Sequence, residues 1–151
     1  MESLDLVIRN GTVVTAVDQY DADVGIRGEE VVAIGRNLPS AGREIDASQK
    51  LVMPGGIDSH CHIEQRSSAG IVCADDFYTA TVSAAFGGTT TVIPFAAQHR
   101  GDSLRDVVNA YHECAGPKAV IDYAFHLIVT DQLRAFSAKN FPRSSAMATP
   151  L

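Results

Sequence analysis

The sequence predicts an α/β fold, with a β-rich segment at the start and alternating strands and helices behind it. Three features point there. Short β-branched runs broken by Asn-Gly and Gly fill the chain up to about residue 53. An apolar stretch then opens on Pro54-Gly55-Gly56, and two helical patterns interleave with apolar strands after it.

In the first segment, "LDLVIRNGTVVTA" places Asn10-Gly11 between two β-branched runs, the signature of a hairpin turn. Gly28 separates Val24 and Ile26 from Val31, Val32 and Ile34, which predicts a second hairpin and a small antiparallel sheet. After Pro54 the pattern changes. Residues 57–63 read as a strand, and "DDFYTATVSAAFGG" as a helix with acidic residues at its start and a Gly87-Gly88 stop. "TTTVIPF" is a buried strand. Ser103 and Asp106 resemble a capping box, followed by Leu104, Val107, Val108, Tyr111 and Ala115 at helical spacing up to Gly116-Pro117. "AVIDYAFHLIVTD" supplies a further strand, and strand–helix–strand units with short links imply a parallel sheet. The expected division is therefore residues 1–53, residues 54–131 and a tail of residues 132–151.

Composition excludes several classes. The chain has 151 residues, 46% hydrophobic and 20% charged, and a formal net charge of −6, which offers no basic face for nucleic acid. No apolar run approaches the roughly 20 residues that span a bilayer, and "MESLDLVIRN" lacks the features of a signal peptide. The expectation is a cytoplasmic protein with Cys61, Cys73 and Cys114 reduced. Charge also reverses along the chain: residues 1–131 hold nine basic and all eighteen acidic residues, whereas residues 132–151 hold three basic and none.

The chemistry concentrates in "LVMPGGIDSHCHIE". On a strand, His60 and His62 project from one face and suit a shared metal ion, while Cys61 between them points the other way and packs. At the C-terminal end of a parallel strand they would lie where such sheets keep their active sites. Gly55-Gly56 allows a sharp entry to the strand, and Asp58 is placed to bond nearby backbone. Of the other histidines, His99 follows the second strand of the parallel set and is a possible pocket residue. His112 reads as a solvent-facing helix residue, and His126 as a satisfied core histidine.

The string Pro-Gly-Gly-Ile-Asp-Ser-His-Cys-His resembles the signature of the metal-dependent cyclic amidohydrolases, and residues 4–131 look most like the dihydropyrimidinase and hydantoinase branch. The resemblance implies a TIM-like (β/α)8 barrel behind the β-rich segment. A whole barrel needs at least about 200 residues, so only its first three strands are expected here. It implies that His60 and His62 are ligands of the more buried of two divalent metals, usually zinc, whose bridging hydroxide attacks a ring amide carbonyl. The implied partner is a small cyclic amide, and family members form homo-oligomers. Dihydroorotases and allantoinases usually carry arginine where this chain has Glu64, which favours the hydantoinase branch and makes Glu64 a second possible pocket residue. The segment "EQRSSAGIVCADD" matches the family's pocket-shaping loop.

The family's carboxylated lysine, two further histidines and aspartate would all follow Asp131, and Lys139 stands in no strand pattern. The chain is therefore expected to be an inactive fragment with no catalytic group beyond the two metal ligands. Its tail reads as an out-of-frame extension: in a shifted frame residues 139–144 can spell Glu-Glu-Leu-Pro-Ala-Leu, and Met147-Ala148 forces a glycine. Such a fragment would expose apolar surface and need a partner. The rival readings are a non-catalytic amidohydrolase-like interaction module or subunit, and a small domain with one structural zinc completed by His99 and Cys61 or Cys73.

Overall fold

The computed structural model describes residues 3–67 and 69–131; the expectation for residues 132–151 lies outside them. The chain divides into two compact units, Met1–Pro54 and Gly55–Leu151.

The first unit is a five-stranded sheet of β1 (Leu6–Val14), β2 (Gln19–Arg27), β3 (Glu30–Gly35), β4 (Arg43–Asp46) and β5 (Leu51–Val52). β1 pairs antiparallel with β2 and parallel with β4 and β5, so the sheet is mixed where an antiparallel one was expected. Asn10-Gly11 makes no hairpin. Both residues lie inside β1, where Asn10 takes φ +60° and the register to β2 shifts between Ile8 and Gly11. The positive φ that Asn tolerates is used for a bulge. The turn falls instead at Thr15–Asp18, closed by Thr15 N–H to Asp18 C=O at 2.9 Å. The second hairpin forms as expected, with Gly28 at φ +58° between β2 and β3.

Nearly buried Asp23 fastens this sheet. It accepts from Asn10 N–H at 3.1 Å and Leu38 N–H at 3.2 Å, and Arg9 lies 3.4 Å away. The Asn10 hydrogen bond, ahead of the other contacts, holds its carboxyl below the usual range.

The second unit is a parallel sheet with two helices on one face. Its elements are β6 (Gly56–Cys61), α1 (Phe77–Phe86), β7 (Thr89–Ala97), α2 (Leu104–Ala115), β8 (Asp122–Tyr123) and β9 (His126–Ile128). β7 is central, pairing with β6 on one side and with β8 and then β9 on the other. The expected third strand is thus two short pieces, interrupted at Ala124-Phe125, where Ala124 N–H reaches back to Val92 C=O at 3.1 Å. Both helices form as the spacing predicts, but their caps differ from expectation. The capping box is at α1, between Asp76 and Thr79, whereas the Ser103 side chain makes no capping bond at α2.

The core lies between sheet and helices: Ile63, Phe77, Val92 and Ala115 are buried, with Cys61, Tyr111, Ile121 and Phe125 packed against them. Thr81 is also fully buried on α1. Its hydroxyl donates to Phe77 C=O at 2.5 Å and accepts from Val120 N–H at 3.1 Å. The sheet's other face carries no helix among the described residues, and the apolar side chains of Ile57, Phe86 and Val120 stand exposed in this unit. No helix among the described residues is long and apolar enough to cross a membrane.

Candidate functional site

The two histidines come together on the helix-free face. Ring centroids of His60 and His62 are 5.6 Å apart, and both rings rest on Phe95 of β7, His60 edge-on at 4.7 Å and His62 stacked at 5.3 Å. Both are exposed at the C-terminal end of β6. Cys61 and Ile63, the alternate residues, pack into the helix-side core, and burial pushes the Cys61 thiol up, with Asp58 adding to the shift.

Local bonds hold the pair in place. Asp58 Oδ1 accepts from His60 N–H at 3.0 Å, the backbone role expected of it, and His62 Nδ1 bonds to Gln65 Oε1. The two imidazoles suit a borderline divalent ion such as zinc, but they supply only two of the three or four protein ligands such a site uses. Among the described residues no group of three or more His, Cys, Asp or Glu is placed to hold a metal. His99 with Cys61 or Cys73 therefore forms no such group with the pair.

Glu64 and His99 line a different space. A cleft of about 440 Å³ is bounded by Glu64, Phe77, His99, Asp102, Tyr111 and Cys114, among others, and neither His60 nor His62 lines it. Glu64 has φ +50° and is held on every side. Its N–H donates to Asp75 C=O at 3.1 Å, and its carboxylate accepts from Phe77 N–H at 3.3 Å and from Lys118 Nζ at 2.6 Å. The bond to Glu64, ahead of nearby charge, raises the Lys118 pKa. The carboxylate thus ties the strand end to the start of α1 and to the turn after α2. His99 is exposed, with its N–H donating to Asp102 Oδ2 at 3.3 Å. Burial raises the Tyr111 pKa in the same cleft.

Sequence reasoning missed two residues. His126 is no core histidine: it is exposed, sits in register with Phe95, and bonds through Nε2 to Ser59 C=O at 3.0 Å. The period-two pattern of its short strand could have placed it, since Phe95 and His126 pair across β7 and β9. Gln98 is 1% exposed and links the ends of β7 and β9, and no spacing or motif marks it.

The family model that describes the amidohydrolase family matches residues 51–145, running from the strand before the histidine pair past Asp131. This chain belongs to the amidohydrolase family. It is 49% identical over 128 residues to the D-hydantoinase of Rhizobium radiobacter, an alignment that covers 85% of this chain and 28% of that one. It is 40% identical over 131 residues to the dihydropyrimidinase of Rattus norvegicus, covering 83% and 25%. Among solved structures, the dihydropyrimidinase of Brevibacillus agri superposes with a TM-score of 0.78 at 51% identity, over 83% of this chain and 27% of that one. The chain therefore spans about a quarter of the length of the amidohydrolases it matches, and over that quarter it shares their mixed α/β architecture.

Proposed function

We propose that this chain forms the opening part of the catalytic barrel of a hydrolase that cleaves the C–N bond of cyclic amides of the hydantoin and dihydropyrimidine kind. His60 and His62 are its contribution to a divalent metal centre, zinc by donor type. The observation that carries the reading is the placement of both imidazoles on the helix-free face, at the C-terminal end of a parallel strand. Identity of 49% to a D-hydantoinase supports the substrate class.

A metal bound there supplies Lewis acidity toward a carbonyl and lowers the pKa of water. The chain's own residues orient the ligands. With Nδ1 of His62 donating to Gln65 Oε1, Nε2 keeps the free lone pair, and Phe95 limits rotation of both rings. Asp58 fixes the His60 backbone. Two imidazoles leave a zinc ion short of ligands, so the 151-residue chain alone is proposed to lack turnover. Its three free cysteines support a reducing compartment, the cytoplasm.

The test exchanges residues 4–131 for the matching segment of the R. radiobacter D-hydantoinase. Hydantoin opening that survives the exchange and disappears with His60→Ala or His62→Ala is the expected result. A chimera that folds, binds zinc and opens no ring refutes the substrate class, and one that works without either histidine refutes the ligand assignment.

A further inference from the structure

The phase of β6 is unusual, and the phase decides where the histidines point. Asp58 pairs with Val92, yet Cys61 pairs with Pro94, so three steps along β6 match two along β7. Ser59 and His60 are left without a partner on β7. One step earlier Gly56 pairs with Thr89 and Ile57 with Thr91, a shift in the opposite sense; were the ladder to continue regularly from Asp58, His60 would fall opposite buried Pro94 and Cys61 opposite Phe95. Because side chains alternate faces, that slip would send both imidazoles into the helix-side core and bring Cys61 and Ile63 out. The bulge reverses the earlier shift at Gly56 and Ile57 and so returns the histidine pair to the open face.

A bulge frees backbone groups from the ladder, and two groups in this one have side-chain partners. The N–H of His60 goes to Asp58 Oδ1 at 3.0 Å. The carbonyl of Ser59 goes to Nε2 of His126 at 3.0 Å, across the central strand, with the His126 ring 5.2 Å from Phe95. The donor must be Nε2–H, since a carbonyl oxygen only accepts.

We propose that His126 is a positioning residue for the metal-ligand pair: its Nε2–H holds the Ser59 carbonyl from β9 and so keeps the β6 bulge, and His60 with it, in the phase that faces the open side. The proposal rests on the reading of His60 and His62 as ligands only for its functional meaning; the geometry is tested without metal.

The experiment uses the 151-residue chain and two variants. His126→Phe keeps a ring on Phe95 and removes the donor, while His126→Gln supplies an amide N–H in its place. The readout is nuclear Overhauser contact between the His60 and Phe95 rings in metal-free protein. The contact should be present in the parent chain and in H126Q and absent in H126F. Both variants behaving alike, whether they keep the contact, lose it or fail to fold, overturns the proposal, as does its absence from the parent. Zinc titration of the same proteins reads the ligand assignment separately. Where zinc binding depends on His60 and His62, H126F should weaken it about tenfold to hundredfold, as removal of an outer-shell partner does.

Discussion

Replacing Gln98 by Leu is the sharpest test of how the second unit is held together. The Gln98 side chain is 1% exposed and serves three backbone groups. Its Oε1 accepts from Thr130 N–H and Asp131 N–H, both at 3.0 Å, and its Nε2 donates to Asp102 C=O at 2.8 Å. Leucine is close in volume, so no cavity opens and the cost is that of the three lost partners. A donor or acceptor stranded in the interior costs about 1–3 kcal/mol. Thr130 and Asp102 are exposed and Asp131 half-buried, so water reaches these groups and the lower end applies to each. The expected total is about 3 kcal/mol, less a fraction regained from apolar burial, hence roughly 2–3 kcal/mol. Against a domain stability of about 5–15 kcal/mol this is a large loss, on the order of 5–10 °C in Tm. Urea unfolding followed by circular dichroism measures it, with an unchanged m-value showing that only stability moved. A Gln98→Leu chain within about 0.5 kcal/mol of the parent refutes the account, because the three groups would then be as well served by water.

Two further outcomes follow from the same packing. Phe77→Ala removes a fully buried ring from the cluster of Ile63, Val92 and Ala115, and should cost about 3–5 kcal/mol in the same urea assay, whereas a cost under about 1 kcal/mol would mean that the core is not closed around it. Lys118 has a folded pKa raised first by its bond to Glu64, so its contribution is present at neutral pH and is lost as pH climbs past the ordinary lysine value of about 10.4. The Lys118→Met chain should therefore lose less stability than the parent between about pH 9 and 11.5, and parallel curves would show that the ion pair contributes nothing.

The sequence made the local elements readable and the long-range ones obscure. Both helices, the Gly28 turn and the strands flanking them follow from period and punctuation, because those signals act within a few residues. The parallel pairing of β4 and β5 with β1 joins segments more than thirty residues apart, and no local pattern encodes it. Asn10-Gly11 misled for a physical reason: a left-handed asparagine serves a bulge as well as a turn, and the choice was settled by Asp23 and the Thr15–Asp18 closure. In the candidate site, the shared face of His60 and His62 was legible from their spacing of two. Which face that would be was not, since it depends on where β6 slips against β7. Nor could the sequence foresee that Glu64 would be occupied by Lys118 and the Phe77 N–H, or that His126 would sit in the open beside Phe95.

The extra residue between Asp58 and Cys61 has a genetic consequence. Along most of a strand, exchanging one side chain for another is the common injury, and its damage stays local. Here a three-base deletion at Ser59 would leave Asp58 opposite Val92 and Cys61 opposite Pro94 and bring His60 opposite Ile93, so the ladder would become regular while the imidazoles, the thiol and the isoleucine all kept their faces. This short stretch therefore has one residue to spare, and mutational tolerance around it should extend to the loss of Ser59 as well as to its substitution.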